Sequence, residues 1–441
     1  MRLSSLASRL FNVEKQEAPA VLAGLLMFFL LFAGYFMLRP VRETMGLAGG
    51  VRNLQWLFTG TFVATLAVLP LFGWLASKAQ RRRILPWTYG FFTLNLLAFA
   101  AGMAWQPDNP WVARAFYIWL SVFNMLTISL AWSVLADVFS SAQAKRLFAL
   151  MAAGASLGGL AGPVLGTLLV GPLGHSGLLA LSALMLAGSA VAGLALQRWR
   201  NLHPRAPDEA FTRSQPLGGN PLSGATAVFR SPYLLGIATF VILLATANTF
   251  LYFEQARLVE ATFPDKVQQT QVFGIIDIVV QSLALLTQFF LTGRIAQRLG
   301  VSVLLVAVPL VIAAGFLWLA LAPVFAVLAV VMVVRRAGEY ALVRPGREML
   351  YTSVSPEQKY KAKNFIDTVV YRGGDAVSGW VKHGIDLLAG QPAVAMLIGS
   401  LFALVWAGNG LLLGRSQKRL EAKHEDAFAN PRSPDKTENL A

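Results

Sequence analysis

The residues most able to do chemistry in this sequence are charged side chains within two apolar segments, residues 323–351 and 365–388. Eleven lie there: Arg335, Arg336, Glu339, Arg344, Arg347, Glu348, Asp367, Arg372, Asp375, Lys382 and Asp386. Arg344, Arg347 and Glu348 are spaced for one face of a helix, and the charged residues from 367 to 375 broadly share a face of a second helix. Guanidinium groups bind carboxylates and phosphates through paired hydrogen bonds. The pattern therefore indicates either a cavity for an anion or ion pairs that lock two helices together.

These segments belong to a chain with the composition of a membrane protein. Of its 441 residues, 56% are hydrophobic and 13% are charged, and the mean hydropathy is +0.58. A soluble globular chain has about 25% charged residues, and about 20 apolar residues span a bilayer as a helix. Twelve apolar runs predict an all-α polytopic membrane protein with 12 transmembrane helices: 18–38, 54–76, 84–104, 112–136, 147–170, 175–196, 232–253, 272–293, 300–321, 323–351, 365–388 and 392–414.

The basic residues predict the orientation of these helices. Lys and Arg are retained on the cytoplasmic side, and 25 of the 37 fall in one set of alternate loops and in the termini, against five in the opposite loops. Both termini are therefore predicted to be cytoplasmic, in a multi-pass protein of the bacterial inner membrane. The formal charge of +15 is then mainly a topology signal, with some attraction to anionic lipid. Because the basic residues are dispersed, nucleic acid is not an expected partner.

The longest polar stretch divides the chain in the middle, with six apolar runs before it and six after it. It is rich in Pro, Arg, Gly and Ser, which is typical of a linker. The predicted organisation is a cytoplasmic N-terminal segment, an N-terminal six-helix bundle, a cytoplasmic linker, a C-terminal six-helix bundle and a cytoplasmic tail: residues 1–17, 18–196, 197–231, 232–414 and 415–441.

Short repeats support two equivalent halves. Residues 73–78, GWLASK, follow the second apolar run, and residues 293–298, GRIAQR, follow the eighth. The first turn resembles the Gly-x-Leu-Ala-Asp-Arg-x-Gly-Arg-Arg pattern of the major facilitator fold, with departures at Ser77 and Gln80. Residues 158–166, GGLAGPVLG, are similar to a Gly-Pro motif of antiporters in that superfamily, although such small residues also allow close packing of helices.

Three further stretches resemble the ATP/ADP translocases of plastids and intracellular bacteria. Residues 340–351, YALVRPGREMLY, are similar to that family's Tyr-x-Leu-x-Asp-Pro-x-Lys-Glu-Met-x-Tyr, and residues 361–372, KAKNFIDTVVYR, to its Lys-x-Lys-x-x-Ile-Asp-x-x-x-x-Arg. Residues 35–44, YFMLRPVRET, are similar to its Tyr-x-x-Leu-Arg-x-x-Lys-Asp-x. The resemblance implies a secondary-active transporter that exchanges ATP for ADP, or another anionic solute, by alternating access.

The resemblance also implies roles for particular residues. Substrate binding is expected at Arg42, Arg347, Arg372, Lys361 and Lys363, with the first two as the leading phosphate contacts. Ion-pair or gating roles are expected at Glu43, Glu348, Asp367, Arg344 and Asp375. Arg344 replaces the family's Asp, and Asp375 replaces a Lys that usually follows the family's Arg by three positions. This exchange of charges suggests an ion pair of reversed polarity between Arg344 and Asp375.

Weaker candidates lie elsewhere. Asp277, one helical turn from Gln281, is a candidate for proton coupling, and Asp137 is predicted to pair with Arg81 in gating. Asn248, Glu254, Asn124 and Arg114 are candidate polar groups within or at the ends of apolar runs. Four aromatic residues near an outer boundary are interpreted as an interfacial belt: Trp105, Trp111, Tyr117 and Trp119.

Enzymatic chemistry is poorly supported by the sequence. The four histidines share no metal-ligand spacing, there is no Cys, and no phosphate-binding Gly-rich loop precedes a Lys. No enzyme activity, cofactor or metal is therefore expected. The expected partners are a small anionic substrate, among which nucleotides are favoured, and the lipid bilayer, with no obligate protein partner. The alternatives are a proton-coupled exporter of another small molecule, with Asp277 or Asp367 as the titrating group, and a membrane scaffold without transport.

Overall fold

A computed structural model describes residues 13–14, 16–78, 81–203, 224–354 and 356–429 of the chain. Within these ranges the regular structure is entirely helical. The longer helices are α1 Ala18–Leu47, α2 Leu54–Lys78, α3 Arg81–Trp105, α4 Pro110–Val138, α5 Ser141–Leu202, α7 Pro232–Thr262, α8 Lys266–Thr287, α10 Val301–Leu321, α14 Tyr371–Ala389 and α15 Pro392–Ala429. The shorter ones are α6 Ala225–Arg230, α9 Gly293–Leu299, α11 Phe325–Gly338, α12 Arg344–Leu350 and α13 Pro356–Phe365.

Local sequence sets several helix ends. Ser140 caps α5 by accepting a hydrogen bond from the Gln143 amide at 3.2 Å, and the Gln143 side chain accepts from the Ser140 amide at 3.1 Å. Asn109 caps α4 in the same way through the Trp111 amide. Gly300 and Gly390, with φ of 79° and 62°, follow α9 and α14, because a left-handed residue at this position is accessible to glycine without strain.

Long apolar helices cover most of the predicted spans. Nine helical stretches within the described ranges are long and apolar enough to cross a bilayer. The runs 147–170 and 175–196 both lie within α5. This helical stretch is kinked between them at Gly174, which has a left-handed φ of 65°. The last helix, α15, continues to Ala429, beyond the end of the apolar run 392–414.

The described residues form two compact units. The first takes its residues from Met1–Gly50, Ala64–Gly218 and Phe263–Ile278, and the second from Val51–Val63, Gly219–Thr262 and Val279–Ala441. Each has its own apolar core, built around residues such as Phe28, Phe116 and Phe123 in the first and Phe240, Phe316 and Trp406 in the second. The start of α2 and the start of α8 thus belong to different units from the remainder of each helix.

The first unit is centred on close packing between α1 and α5. A Cβ added to Gly158 would overlap the carbonyl oxygen of Phe29, and one added to Gly162 would lie 2.6 Å from that of Ala33. Four glycines of α5 face α1 at intervals of four residues: Gly154, Gly158, Gly162 and Gly166. Because the paired numbers rise together, the two helices run parallel. The close packing expected of this glycine motif is therefore present.

Three π-helical turns lie in the second unit: π1 Gln288–Thr292, π2 Glu339–Val343 and π3 Ile366–Val370. Two hydrogen bonds join π1 to π2. The Gln288 side-chain amide donates to the Tyr340 carbonyl at 2.9 Å, and the Thr292 hydroxyl donates to the Ala341 carbonyl at 2.7 Å. A π turn disrupts the regular backbone ladder and often marks a functional position. The apolar segments 323–351 and 365–388 are therefore interrupted at or beside their charged residues.

Candidate functional site

Arg42 in the first unit is held by α4 through several contacts. Its guanidinium lies 3.7 Å from the centre of the Tyr117 ring, and its Nε donates to the Tyr117 carbonyl at 3.1 Å. Its Nη2 donates to the Ser121 hydroxyl at 3.2 Å, and its Nη1 donates to Oε1 of Glu43 at 3.2 Å. Glu43 Oε2 is buried without a hydrogen-bond partner among the described residues. The sequence-predicted pair Arg42 and Glu43 thus forms an oriented ion pair with an unused acceptor.

The four aromatic residues predicted to form an interfacial belt differ in exposure. Trp105 and Trp111 are 84% and 72% exposed. Tyr117 is instead only 1% exposed, and its ring supports Arg42, while Trp119 packs in a cluster of aromatic rings with Phe123. The two residues are separated by about 200° around α4, so they pack on different faces, Tyr117 against Arg42 and Trp119 against Phe92 and Phe99.

Asp277 is placed beside a second arginine of α1. It is 3% exposed, and Arg39 Nε lies 3.9 Å from its Oδ2. The same two helices, α1 and α8, also meet at Thr44 and Thr270, whose hydroxyls lie 2.7 Å apart. The Thr270 hydroxyl lies 2.9 Å from His175 Nε2 on α5. The start of α8 is therefore joined to α1 and α5 by polar contacts inside the first unit.

A buried polar cluster links α7, α11 and π2 in the second unit. Arg335 donates to the Asn248 side-chain oxygen and lies 3.3 Å from Glu339 Oε2. Asn248 Nδ2 is 3.3 Å from both Glu339 Oε2 and the Tyr371 hydroxyl. Arg344 approaches the other oxygen of Glu339 at 3.6 Å and lies over the Tyr340 ring at 4.5 Å. The sequence marks these residues as polar groups in apolar runs but does not indicate that Glu339 joins two arginines.

Arg347 and Asp367 are brought together from two different segments. Arg347 Nη2 lies 3.1 Å from Asp367 Oδ1, yet that oxygen has no hydrogen bond of good geometry within the described part of the chain, and neither does Arg347 Nε. The Tyr351 hydroxyl, one helical turn beyond Arg347, is likewise buried and unsatisfied by described groups. Buried polar atoms are normally hydrogen-bonded, so this pair has unused capacity to bind a polar ligand or water.

The other predicted residues have varied surroundings. Lys363 bonds Glu348 at 2.6 Å, and Arg372 Nη1 lies 3.7 Å from Asp375 Oδ2. Lys361 is exposed within the second half of α13. Arg344 lies 3.6 Å from Glu339, and Asp375 contacts Arg372 and Thr249, while the pairing of Arg344 with Asp375 stays a prediction. The predicted pairing of Asp137 with Arg81 lies outside the described side chains.

A metal-binding constellation is absent from the described ranges, where no three His, Asp or Glu side chains converge. Long apolar helices with inward-facing arginine and carboxylate groups define an integral, multi-pass membrane protein. Charged groups retained at such cost are typical of transport proteins.

The chain belongs to the Major Facilitator Superfamily, whose family model matches residues 24–362. It is accordingly a membrane transporter and not an enzyme. Among solved structures, a bacterial homologue of the human lysosomal transporter Spinster has a TM-score of 0.61 at 14% identity, covering 92% of this chain and 99% of that one. The nucleoside transporter NupG has a TM-score of 0.58 at 16% identity, covering 92% and 99%. These likenesses show the fold.

Curated relatives confirm the resemblance to ATP/ADP translocases. The ADP,ATP carrier protein 1 of Chlamydia muridarum is 22% identical over 96% of this chain and 93% of the relative. The protein of the same name from Chlamydia pneumoniae is 24% identical over 72% of this chain and 71% of the relative. The likeness found in three short motifs therefore extends over nearly the whole length of the chain.

Proposed function

We propose that this protein is a secondary-active transporter that exchanges anionic solutes by alternating access, with nucleotides of the ATP and ADP type as its substrates. It has 12 transmembrane helices in two six-helix halves, residues 18–196 and 232–414, with a cytoplasmic linker at 197–231. The N-terminal segment 1–17 and the tail 415–441 are cytoplasmic, and the membrane is the bacterial inner membrane. The names of the Chlamydia relatives and the charge distribution of the sequence support this assignment.

The observation that best supports an anionic substrate is the state of Arg347. Its side chain is only 12% exposed, and a carboxylate 3.1 Å away leaves its Nε without a hydrogen bond from the described residues. A phosphate oxygen is a stronger partner for a guanidinium fork than a poorly aligned carboxylate. An incoming phosphate would therefore bind Arg347 and break its ion pair with Asp367.

The remaining basic residues have supporting roles. Arg42 offers a guanidinium fixed by Tyr117 and Ser121, so little rotamer entropy is lost when it contacts an anion. Arg372, whose Nη1 lies 3.7 Å from Asp375 Oδ2, is a third substrate contact. Lys361 and Lys363 attract anions at the cytoplasmic entry, where Glu348 holds Lys363 as a gating partner.

Reconstitution tests the proposed function directly. Purified protein in liposomes loaded with ADP should take up labelled ADP or ATP, and uptake should fall sharply when the internal nucleotide is omitted. Guanosine nucleotides, nucleosides and inorganic phosphate, added in excess outside, define how much the base and the phosphates each contribute. If internal nucleotide does not stimulate uptake of labelled nucleotide, the exchange assignment is wrong.

Arg42 provides a graded prediction. Arg42→Gln should raise the KM for nucleotide by about tenfold or more, because a charge-assisted contact worth roughly 1.5–3 kcal/mol is removed. Arg42→Lys should retain transport with a smaller rise in KM, since Lys keeps the charge but loses the fork and the stacking on Tyr117. Initial rates of exchange across nucleotide concentrations measure both effects. Equal KM values for all three proteins would remove Arg42 from the substrate site.

A second candidate is a proton-coupled exporter, favoured by the burial of Asp277 beside Arg39, whose Nε lies 3.9 Å from its Oδ2. Carboxylates within membrane helices often belong to proton pathways in transporters. This alternative predicts that a pH gradient drives transport without counter-substrate and that Asp277→Asn abolishes that transport. Under the exchange proposal, Asp277→Asn retains ADP exchange between vesicles of equal pH.

A further inference from the structure

Glu339 stands out because one carboxylate serves two arginines of different exposure. Its Oε2 lies 3.3 Å from Arg335 Nη1, and its Oε1 lies 3.6 Å from Arg344 Nη2. The Arg335 side chain is 9% exposed, whereas that of Arg344 is 55% exposed. The inner contact thus joins two buried side chains, whereas the outer contact joins buried Glu339 to a side chain with more than half of its surface exposed.

The inner half of this arrangement is held independently of Arg344. Asn248 accepts a hydrogen bond from Arg335 and donates to the same Glu339 oxygen that Arg335 approaches. The backbone around Glu339 is held as well, because Gln288 and Thr292 bond the next two carbonyls. Glu339 therefore keeps a cation and an amide donor when its outer oxygen is left alone, so losing Arg344 does not strand a buried charge.

The outer half is the weaker contact. The separation of 3.6 Å is longer than a charge-assisted hydrogen bond, which measures about 2.7–2.9 Å. The Arg344 guanidinium also lies 4.5 Å from the Tyr340 ring centre, which supports it from one side. Arg344 precedes Arg347 by three residues on α12, so the two cations are neighbours on one helix face.

We infer that Glu339 is an internal counter-ion of Arg344. The transported anion displaces Glu339 from Arg344 on binding, and Glu339 pairs with Arg344 again when the anion is released. This inference rests on the proposed function and adds a residue that governs substrate affinity and release. Before the anion binds, Glu339 partly neutralises the positive charge of Arg344. In the loaded protein the anion takes Arg344, while Glu339 remains with Arg335 and Asn248.

Kinetics of Glu339→Gln in ADP-loaded liposomes test the inference. The KM for external ADP should fall by about fivefold or more, a coupling at the lower end of that expected between interacting sites. The maximal rate should fall as well, because release loses the group that competes for Arg344. A purely structural role for Glu339 would lower the rate and the melting temperature without lowering KM. Glu260→Gln, which removes an exposed carboxylate at the end of α7, is the matched control and should leave KM unchanged.

A double-mutant comparison covers the case in which Glu339→Gln folds poorly. Arg344→Gln alone should raise KM, and adding Glu339→Gln or Glu339→Asp to it should not lower KM, because Glu339 then has no Arg344 for which to compete. A KM that is unchanged or raised in Glu339→Gln, or that falls equally with and without Arg344, overturns the inference. Absence of ADP exchange by the parent protein would instead refute the proposed function, so the two failures are distinct.

Discussion

Replacing Arg347 by Gln is expected to reduce nucleotide exchange by about 100-fold or more. The bound phosphate would lose its guanidinium partner, and truncating one partner of a desolvated charge pair costs roughly 2–5 kcal/mol. Arg347 is the buried guanidinium whose Nε lacks a hydrogen bond within the described residues and whose ion-pair partner is poorly aligned. Arg347→Lys should retain a substantial part of the activity, since the resembling translocases have Lys at the corresponding position. The measurement is the initial rate of ADP exchange divided by the amount of reconstituted protein.

Two further variants separate a substrate role of Arg347 from a structural one. Arg347→Gln leaves Asp367 without this cation and should lower stability, whereas Arg347→Gln with Asp367→Asn removes both charges and should recover much of it. Exchange should remain lost in the double variant, because the anion contact is still absent. Arg298→Gln, an exposed arginine on α9, controls for removing one positive charge. Recovery of exchange together with stability in the double variant would contradict the proposed role.

Replacing Gly158 by Ala is expected to lower stability by about 2 kcal/mol or more, since overpacking a close contact costs roughly 1–3 kcal/mol. The added methyl group would overlap the Phe29 carbonyl oxygen, which is backbone and cannot rotate away. Gly166→Ala should cost less, because its Cβ would lie 3.0 Å from the Met37 carbonyl oxygen. Thermal unfolding in detergent, followed by intrinsic fluorescence of the 11 Trp residues, reports the order of melting temperatures.

The matched control for this series is Gly171→Ala. Gly171 lies in the same helix, and a Cβ there meets no atom within 4 Å. Ala favours a helix by up to about 1 kcal/mol over Gly, so this variant should melt at the same temperature as the parent or higher. A Gly158→Ala protein as stable as Gly171→Ala would show that α1 and α5 can separate without cost.

Sequence predicts the helices of this protein well, because a bilayer requires long apolar segments and leaves few alternatives for the backbone. The runs beginning near residues 18, 54, 232 and 392 start at or next to the observed helix starts. The glycine motif on α5 also predicts close packing, since small residues at intervals of four have few other uses in a long helix. Helix ends are less predictable: α1 continues to Leu47, beyond the apolar run, through polar residues that include Arg42.

The pairing of charged residues is the part that sequence does not give. Arg347 and Asp367 lie 20 positions apart across α13, and only the folded chain determines that they meet. The burial of Tyr117 is not predicted from sequence for a related reason, because both faces of α4 are apolar and its buried face is set by packing. Glu339 belongs to none of the three resembling motifs, and its proposed role is argued from its distances to Arg335 and Arg344 and from the exposures of those two side chains.

The π turn at Glu339–Val343 has a consequence for the direction in which α12 points. Each residue of an α-helix advances the winding by about 100°, and a π turn accommodates one residue more than an α turn. Conversion of this turn to α-helix would rotate the following guanidinium groups by roughly that angle about the helix axis. The Gln288 and Thr292 side chains bond the Tyr340 and Ala341 carbonyls of this turn. By stabilising the π turn, these hydrogen bonds set the direction in which Arg344 and Arg347 project from α12.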